Sequence, residues 1–342
     1  MLRQFRNVSI MRALSIYYCI ASLFLSTLAF NACTPKIDDR DFAVADTASI
    51  TKLFLADKGN RSVVLERKAS GVWMVNGKYP VRPDAIRLLL QTMHDLHVNR
   101  PVSIEGHNNV VQDMAGNAIK VQIYTKGEEP FKTYYVGGVA KDFQGNYYLM
   151  EGADQPYVVD IPGFDGYLSV RYILDEMDWR DRNVMSLQPA DIARISVQYL
   201  DERASQSYAV TQVDLDHYTV ETPQKPGVQQ EGISKNCFIL FEQFKALNGI
   251  NYARNRPLDD SARHRAPFAV LKVLTKAKRS YTLQLVHADV TERSKQQFDP
   301  NGRPMSFDSE VYYVWVDNNK DLLLMQDFAL RWVLVSNKEF IP

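Results

Sequence analysis

The segments AIKVQIYTK (residues 118–126) and FAVLKVLTK (residues 268–276) carry the same pattern within one chain of 342 residues. Both read as strands, because apolar residues recur with the period of two that is typical of a half-buried β-strand, and both end in Thr-Lys. Such self-similarity indicates a supersecondary unit that is built twice. We therefore expect two related modules, each containing this strand.

The segments that precede these strands repeat in the same order. Strand patterns at 50–55 and 63–75 recur at 192–197 and 208–220. A helix follows in each copy, because apolar residues recur at the spacing of one helical face. These residues are Ile86, Leu89, Leu90, Met93 and Leu96 in the first copy, and Cys237, Leu240, Phe241, Phe244 and Leu247 in the second.

Further strands and a short closing helix complete each copy. The matched ranges are 131–136 with 281–286, 147–150 with 312–315, 157–159 with 322–324, and, for the closing helix, 170–174 with 330–334. This alignment makes Tyr147-Tyr148 the counterpart of Tyr312-Tyr313. It also places the extra length of the second copy in the loop 291–305, where turn-forming and charged residues tolerate insertions.

The predicted fold class is α+β, with two tandem pseudo-repeat modules. Each module reads β-β-β-α-β-β-β-β, an antiparallel sheet with one covering helix and a short closing helix. We expect the first module at 48–175, a connector at 176–190 and the second module at 191–342. The connector is short and charged except for Trp179, so we expect the modules to pack on each other with Trp179 at the seam.

The N-terminus has the three parts of a secretory signal. Three arginines are followed by the uncharged run 13–30 and then by small residues. Ala32-Cys33 resembles the cleavage site of bacterial lipoproteins, so residues 1–32 are predicted to be removed, Cys33 to be lipidated and 33–47 to form a polar spacer. The alternative is an uncleaved signal anchor, because about 18 apolar residues can span a bilayer. Either Met1 or Met11 could be the start.

Charge and cysteine content restrict the possible partners. The chain has 40 basic and 40 acidic residues, and loss of the three arginines at the N-terminus leaves 37 against 40. This balance argues against nucleic acid as a partner. Of the three cysteines, Cys19 lies in the signal and Cys33 would be acylated, so Cys237 has no disulfide partner and is expected to be a buried apolar residue.

Several motifs together resemble a known family. Gly71-Val-Trp73-Met-Val, Asp178-Trp179-Arg180-Asp181-Arg182 and Pro189-Ala-Asp-Ile192 are similar to the Bacteroidota lipoproteins of the domain-of-unknown-function family numbered forty-three forty. The resemblance covers nearly the whole chain after the signal. It implies a lipid-anchored extracytoplasmic protein, often encoded near transporter genes of the gliding-motility type, with no accepted activity and no catalytic residues.

His94 and His97 are the weak candidates for a metal site. Both would lie on one flank of the first helix, and imidazole binds zinc or copper readily. However, the second helix has Lys245 and Asn248 at the matching positions, so the module does not require the pair. We therefore predict no metal and no other cofactor.

Paired tyrosines are the candidates for binding a partner. Neighbouring residues on a strand face opposite sides, so each pair is expected to place one ring in the core and one outside. The exposed rings could stack on a sugar or contact a protein. The candidates are Tyr134, Tyr135, Tyr147, Tyr148, Tyr312 and Tyr313.

An enzymatic function is not expected. The carboxylates of the connector, such as Asp175 and Asp178, alternate with arginines, which favours ion pairs over acid-base catalysis. The run from Gly71 to Lys78 has strand residues where a phosphate loop needs glycine, and is expected to be a strand with an Asn-Gly hairpin turn.

The resulting hypothesis is a non-enzymatic lipoprotein on the periplasmic side or cell surface of a Gram-negative envelope. It would hold a protein partner, such as an ABC-type or gliding-motility-like transporter. The alternatives are a carbohydrate- or peptidoglycan-binding module that uses exposed aromatics, and an uncleaved membrane anchor. The partner, the choice of inner or outer membrane and the oligomeric state do not follow from these residues.

Overall fold

The computed structural model describes residues 38–254, 257–317 and 321–342. The predictions for the signal peptide, for Ala32 and for Cys33 therefore lie outside the described residues. Within them, no helix is long and apolar enough to cross a membrane.

Nine strands form the first sheet, and every pair of neighbours is antiparallel. Its strand order is β4-β3-β2-β1-β6-β7-β8-β9-β5. The strands are β1 (Lys52–Ala56), β2 (Ser62–Arg67), β3 (Trp73–Val75), β4 (Tyr79–Pro80), β5 (His97–Pro101), β6 (Ile119–Tyr124), β7 (Lys132–Val139), β8 (Asn146–Met150) and β9 (Tyr157–Asp160).

A second nine-stranded antiparallel sheet follows, after strand β10 (Asn183–Met185), and has the order β14-β13-β12-β11-β17-β18-β19-β20-β16. Strand for strand, this is the order of the first sheet. The strands are β11 (Ile192–Tyr199), β12 (Tyr208–Gln212), β13 (Tyr218–Glu221), β14 (Gln230–Glu231), β16 (Asn251–Tyr252), β17 (Ala269–Thr275), β18 (Ser280–His287), β19 (Val311–Val316) and β20 (Leu322–Gln326). Strand β15 (Leu247–Asn248) pairs separately with β10.

Six α-helices lie within the described ranges. They are α1 (Pro83–Asp95), α2 (Ile104–Asn117), α3 (Glu176–Trp179), α4 (Ser234–Glu242), α5 (Pro257–Arg263) and α6 (Asp327–Leu330). The predicted faces of α1 and α4 are the buried ones: Leu89 and Met93 lie in the first core, and Leu240 and Phe241 in the second. The coarse prediction of two antiparallel sheets with helices is thus confirmed.

The prediction of one covering helix for each sheet was wrong. Helix α2 covers the opposite face of the first sheet, where Val110 and Met114 contact side chains that include Tyr135 and Tyr147. It packs closely on β7, since a Cβ atom added at Gly137 would lie 2.8 Å from Met114 Cγ. The sequence pattern missed α2 because only two of its fourteen residues are buried.

Strand register corrects the predicted alignment of the two copies by one residue. Val121 pairs with Tyr134 in the first sheet, and its counterpart Leu271 pairs with Leu283 in the second. The hydrogen-bond pairing of β18 with β19 carries this shift of one residue to the next strand. The buried Tyr148 therefore corresponds to Val314 and not to Tyr313. A one-residue slip moves a side chain to the other face of a sheet. The two tyrosine pairs are therefore not equivalent.

Residues 38–46 belong to the folded body, which corrects the predicted spacer of 33–47 and the predicted module start at 48. Phe42 is only 1% exposed and lies in the first core. Its ring contacts Tyr134, Tyr148 and Tyr157 edge-on at 5.5–6.2 Å between centroids. The sequence pattern failed here because a single buried aromatic in a polar segment has no period.

Candidate interaction surfaces

The two sheets share a feature directly after their last strands. Residues 161–174 follow β9 and residues 327–336 follow β20; we name them the first and second closing segments. In the first, the Arg171 guanidinium lies 4.1 Å from the centroid of the Phe164 ring, and in the second Arg331 lies 4.2 Å from that of Phe328. Such cation–π contacts hold an arginine flat against a ring. Each closing segment thus presents an arginine-covered phenylalanine to solvent.

The first closing segment carries an exposed apolar surface. Phe164 is 39% exposed, and Tyr167 and Val170 in the same segment are also exposed. Phe143, in the turn between β7 and β8, lines a cavity together with Phe164. Its backbone has a φ of +61°, a conformation that costs energy for a residue with a side chain. We call Phe143, Phe164, Tyr167 and Val170 the first aromatic patch.

Three buried tyrosines hold this segment in place. The Tyr172 hydroxyl lies 3.3 Å from that of Tyr134 and 3.2 Å from that of Tyr148. Burial raises the pKa values of Tyr134 and Tyr148 well above the usual 10, so the hydroxyls stay protonated and can donate hydrogen bonds. Next to Tyr172, the Arg171 guanidinium donates to the hydroxyl of Thr92 on α1 at 2.8 Å. The arginine is therefore fixed from both sides.

The second closing segment is held by backbone acceptors. Tyr208 and Tyr199 of the core donate to the carbonyl oxygens of Val333 and Val335, at 2.6 and 2.9 Å. Tyr312 donates to the Asp327 carboxylate at 2.8 Å, at the start of α6. Burial, and then this carboxylate, raise the pKa of Tyr312.

The second aromatic patch is formed by Phe328 and Trp332, which are 67% and 41% exposed. The Arg331 guanidinium lies 4.2 Å from the centroid of the Phe328 ring and 5.9 Å from that of Trp332. The predicted match of Val170 with Leu330 was wrong, because Val170 is exposed whereas Leu330 is fully buried. The two closing segments share their arginine stack, but not their detailed alignment.

The tyrosines proposed for binding do not form an exposed row. Tyr134, Tyr148 and Tyr313 are buried, whereas Tyr135, Tyr147 and Tyr312 are half-buried. Sequence reasoning missed the exposed rings of Phe164, Phe328 and Trp332. A usable signal was present, since Phe164 and Tyr167 lie in a segment rich in glycine and proline, where apolar residues have no core to enter.

The histidine candidates are on different elements. Helix α1 ends at Asp95, so His94 lies in its last turn, whereas His97 begins strand β5. Each has its own carboxylate neighbour: His94 Nδ1 lies 2.6 Å from Asp95, and His97 Nδ1 lies 3.1 Å from Asp160. In the described part of the chain, no three His, Cys, Asp or Glu side chains are grouped so that they could hold a metal ion.

The connector joins both halves through its backbone. Its first part is bonded to the first module, since Arg82 N–H donates to the Trp179 carbonyl at 2.8 Å. Its second part is bonded to the second module, since Gly249 N–H donates to the Arg182 carbonyl at 2.8 Å. Trp179 is fully buried in the first core, where its indole donates to the Ile173 carbonyl at 2.9 Å. The expectation that Trp179 forms the seam was therefore wrong.

Arg180 occupies the seam instead. Its guanidinium lies between the rings of Tyr79 and Tyr252, 3.7 and 3.9 Å from their centroids, and donates to Asp321 at 2.6 Å. Burial opposes the charge of Arg180, yet the hydrogen bond to Asp321 leaves its pKa raised. The two tyrosines belong to different sheets, so this arginine connects the halves.

The connector carboxylates are also in ion pairs. Arg254 lies 3.0 Å from Asp175 and 2.5 Å from Asp178. Glu176 accepts from the Asn76 amide at 2.6 Å, and Asn76 is the first turn residue of the predicted Asn-Gly hairpin between β3 and β4. These contacts pair the acidic residues around the connector with Arg254 and Asn76, which lie elsewhere in the chain.

Two further features bear on the chemical reactivity of the protein. Burial raises the pKa of the Cys237 thiol to about 12, which leaves little thiolate for nucleophilic attack. A groove of about 630 Å³ lies between α2 and strands β5, β7 and β8. Two opposite charges along it, Arg100 and Asp142, form an ion pair with each other.

Comparison with protein families finds a match for the central part of the chain. Residues 73–262, more than half of the chain, match the family described as "Domain of unknown function (DUF4340)". The matched region starts at β3 and ends within α5, so it includes the connector and parts of both sheets. No curated protein and no solved structure matches the chain.

Proposed function

Because this chain belongs to the DUF4340 family, whose description names no activity, we propose a function from its own sequence and surfaces. We propose a non-enzymatic lipoprotein of a Gram-negative cell envelope. Cys33 carries the lipid, the body lies outside the cytoplasm, and the closing segments bind a protein partner. A transporter of the ABC or gliding-motility type is the partner class that fits the family resemblance.

The observation that carries the proposal is the arginine-covered phenylalanine of each closing segment. Exposed aromatic and arginine side chains are enriched in protein interfaces and supply much of their binding energy. Phe164 lies in the segment that follows β9, and Phe328 lies in the matching segment that follows β20; each is covered by an arginine. Buried tyrosines fix both segments, so a partner would meet a preformed surface.

We further propose that the two sheets with their helices are pseudo-repeats of one ancestral module. The shared strand order supports this, because nine strands could be ordered in many ways. The alternation of core pairs supports it as well: Leu53 pairs with Leu65 and Ile123, and Ile195 pairs with Val210 and Val273.

Lipidation is tested with the variant Cys33→Ala in cells that produce the full chain. We expect it to be released from the membrane fraction or to accumulate as an uncleaved precursor, and the wild-type protein to carry a diacylglycerol mass at Cys33. Membrane retention of the variant with an intact N-terminus would instead favour the uncleaved anchor.

Partner binding is tested by crosslinking mass spectrometry in native envelopes. The variants Phe164→Ala and Phe328→Ala should each lower the yield of crosslinks to the main partner, and the double variant should lower it further. Val72→Ala and Leu215→Ala are matched controls, since both remove exposed apolar side chains elsewhere. Unchanged crosslinks in the double variant would refute the assignment of this surface. Retention on purified cell wall that needs Tyr135 or Tyr147 would support the carbohydrate alternative.

A further inference from the structure

A long loop, residues 288–310, joins β18 to β19 in the second sheet. Its base is fastened by hydrogen bonds, since Asp308 N–H donates to the Ala288 carbonyl at 2.8 Å and the Ser294 hydroxyl donates to the Asp308 carboxylate. Beyond this base, the chain turns back on itself through a bridge between Phe298 and Pro304. We call residues 295–307 the loop hairpin.

A stack of three rings connects the loop hairpin to the sheet. The Phe307 ring lies on the imidazole of His287, the last residue of β18, with 4.5 Å between centroids and 11° between planes. Phe268 stacks on the same imidazole at 4.0 Å and 20°. Phe268 is buried, whereas Phe307 is 37% exposed. The imidazole is therefore held between a fixed ring of the sheet and a ring of the loop.

Two arginines border this stack. The Arg203 guanidinium lies over the Phe268 ring, 5.1 Å from its centroid, and that of Arg265 lies over the Phe307 ring at 5.2 Å. Arg265 is fixed in place, because it donates to the His287 carbonyl at 2.6 Å and to the Asp289 carboxylate at 2.8 Å. An imidazolium at His287 would be a third positive charge against the same two phenylalanine rings, and the positive charges repel one another.

Carboxylates near the stack offset part of this repulsion. Asp201 pairs with Arg203 at 2.7 Å, and Asp289 pairs with Arg265. Burial, and then Arg203, nevertheless lower the pKa of His287 below 6.5, although Asp201 and Glu202 act in the opposite direction. The titratable and charged groups around the stack are Tyr199, Asp201, Glu202 and Arg203 at the end of β11, Arg265 before β17, Asp289 and Asp308 in the long loop, and Tyr312 on β19 with its acceptor Asp327.

We propose that the loop hairpin opens in acid: protonation of His287 releases Phe307 from the stack and lifts residues 295–307 from the second sheet. The physical reason is linkage between the proton and the loop. A closed loop keeps water from one face of the imidazole and so disfavours the imidazolium, whereas an open loop lets water solvate it. The open state therefore takes up the proton at a higher pH than the closed state does.

The direction of the effect follows from this difference. Above about pH 6.5 His287 is neutral in both states, so the loop stays closed. As the pH falls below this value, the open state gains the proton first, and the ratio of open to closed loops rises by at most about tenfold per pH unit.

Opening changes the surface beside the second closing segment. Tyr312, whose hydroxyl donates to Asp327 of that segment, lies 5.3 Å from Phe268 between ring centroids. Release of the loop hairpin frees the Phe307 ring and one face of His287 next to these residues. This inference depends neither on the lipidation of Cys33 nor on partner binding, so it stands or fails separately from the proposed function.

The test is hydrogen exchange with mass spectrometry on the purified full chain at about pH 7.5 and about pH 5, with rates corrected for the intrinsic effect of pH on exchange. We expect peptides that cover residues 295–307 to exchange several-fold faster at the lower pH. Peptides of β17 and β18 should change little and serve as the internal reference. Equal corrected rates for residues 295–307 at the two pH values would overturn the proposal.

Two variants identify the group that responds. His287→Phe keeps a flat ring between Phe268 and Phe307 but cannot take up a proton, so its loop hairpin should stay protected at the lower pH. The matched control His217→Phe, which replaces an exposed histidine in the turn before β13, should keep the acid response of the wild-type protein. Acid opening of the same size in His287→Phe as in the wild-type protein would show that another group is responsible and end the proposal.

Phe307→Ala provides a second route if His287→Phe does not fold. This variant removes the ring that closes the loop and leaves the sheet intact. Its loop hairpin should exchange rapidly at both pH values, with no further gain in acid. A loop hairpin that remains protected at about pH 7.5 and still opens in acid without Phe307 would contradict the proposal.

Discussion

The variant Tyr172→Phe tests whether buried hydroxyl groups hold the first closing segment. The substitution removes one oxygen atom and leaves the ring, so packing is preserved. It breaks the hydrogen bonds to Tyr134 and Tyr148, both of which are fully buried. Each lost bond costs about 0.5–1.5 kcal/mol, and each buried hydroxyl left unsatisfied adds about 1–3 kcal/mol. Because the two remaining hydroxyls can partly compensate, we expect a loss of roughly 2–4 kcal/mol.

The assay is urea unfolding followed by circular dichroism, with hydrogen exchange to assign the effect. For an m-value near 3 kcal/mol/M, the unfolding midpoint of the protein should fall by about 1 M. Amides of β7 and β8 should lose more protection than those of β17 and β18. Tyr167→Phe is the matched control, since Tyr167 is exposed, and it should change stability by less than about 0.5 kcal/mol.

A triple variant decides the physical cause. When Tyr134, Tyr148 and Tyr172 are all replaced by Phe, no unpaired hydroxyl remains, and removal of all partners can be nearly neutral. The triple variant should therefore be more stable than Tyr172→Phe alone. A triple variant that is less stable, or a loss below about 0.5 kcal/mol for Tyr172→Phe, would refute the account.

Three further predictions concern the seam, pH and backbone. Arg180→Ala should cost about 2–4 kcal/mol, because it removes a charged hydrogen bond to the partly exposed Asp321 and two ring contacts. Calorimetry should then show the halves unfolding separately, and Arg180→Lys should not restore the single transition. Burial and Arg203 lower the pKa of His287 below 6.5, so the unfolded chain takes up the proton before the folded chain does. The free energy of unfolding should therefore fall as the pH drops below about 6.5. Urea unfolding of His287→Gln at a series of pH values should show a flatter dependence on pH. Gly145→Ala should lower the thermal midpoint far more than Gly163→Ala: both have positive φ, but only at Gly145 does a Cβ atom meet a backbone oxygen, 2.4 Å away on β9. Equal effects of the two alanines would contradict this steric explanation.

Sequence periodicity predicted the parts of the fold whose faces are strongly amphipathic. The helical spacing of Leu89 and Met93 and of Leu240 and Phe241 identified α1 and α4, and strand alternation located most of the long strands. Register was harder, because Tyr312-Tyr313 and Tyr147-Tyr148 look alike as letters. Only the hydrogen-bond ladder shows that the two tyrosine pairs are offset by one position. A shift of one position places a side chain on the opposite face of the sheet.

The surfaces could not be derived in the same way. The sequence predicted that the paired tyrosines bind a partner. The structure shows instead that the buried members of these pairs position the closing segments. The exposed rings belong to other residues, which follow no repeating pattern. Exposure of Phe164 or Phe328 depends on how the segment after the last long strand returns to the core. That path is decided by contacts with residues far away in the chain, such as Tyr134 and Tyr208.

The amino-acid sequence alone predicted the coarse arrangement of antiparallel sheets with helices, the family resemblance and a lipidated cysteine, because these predictions depend on local patterns. The tertiary structure decided that Phe42 draws the N-terminal segment into the first core, that Arg180 and not Trp179 connects the halves, and which aromatic rings face solvent. Each of these features depends on contacts between side chains that are distant in the sequence. Such contacts leave no periodic pattern in the local sequence.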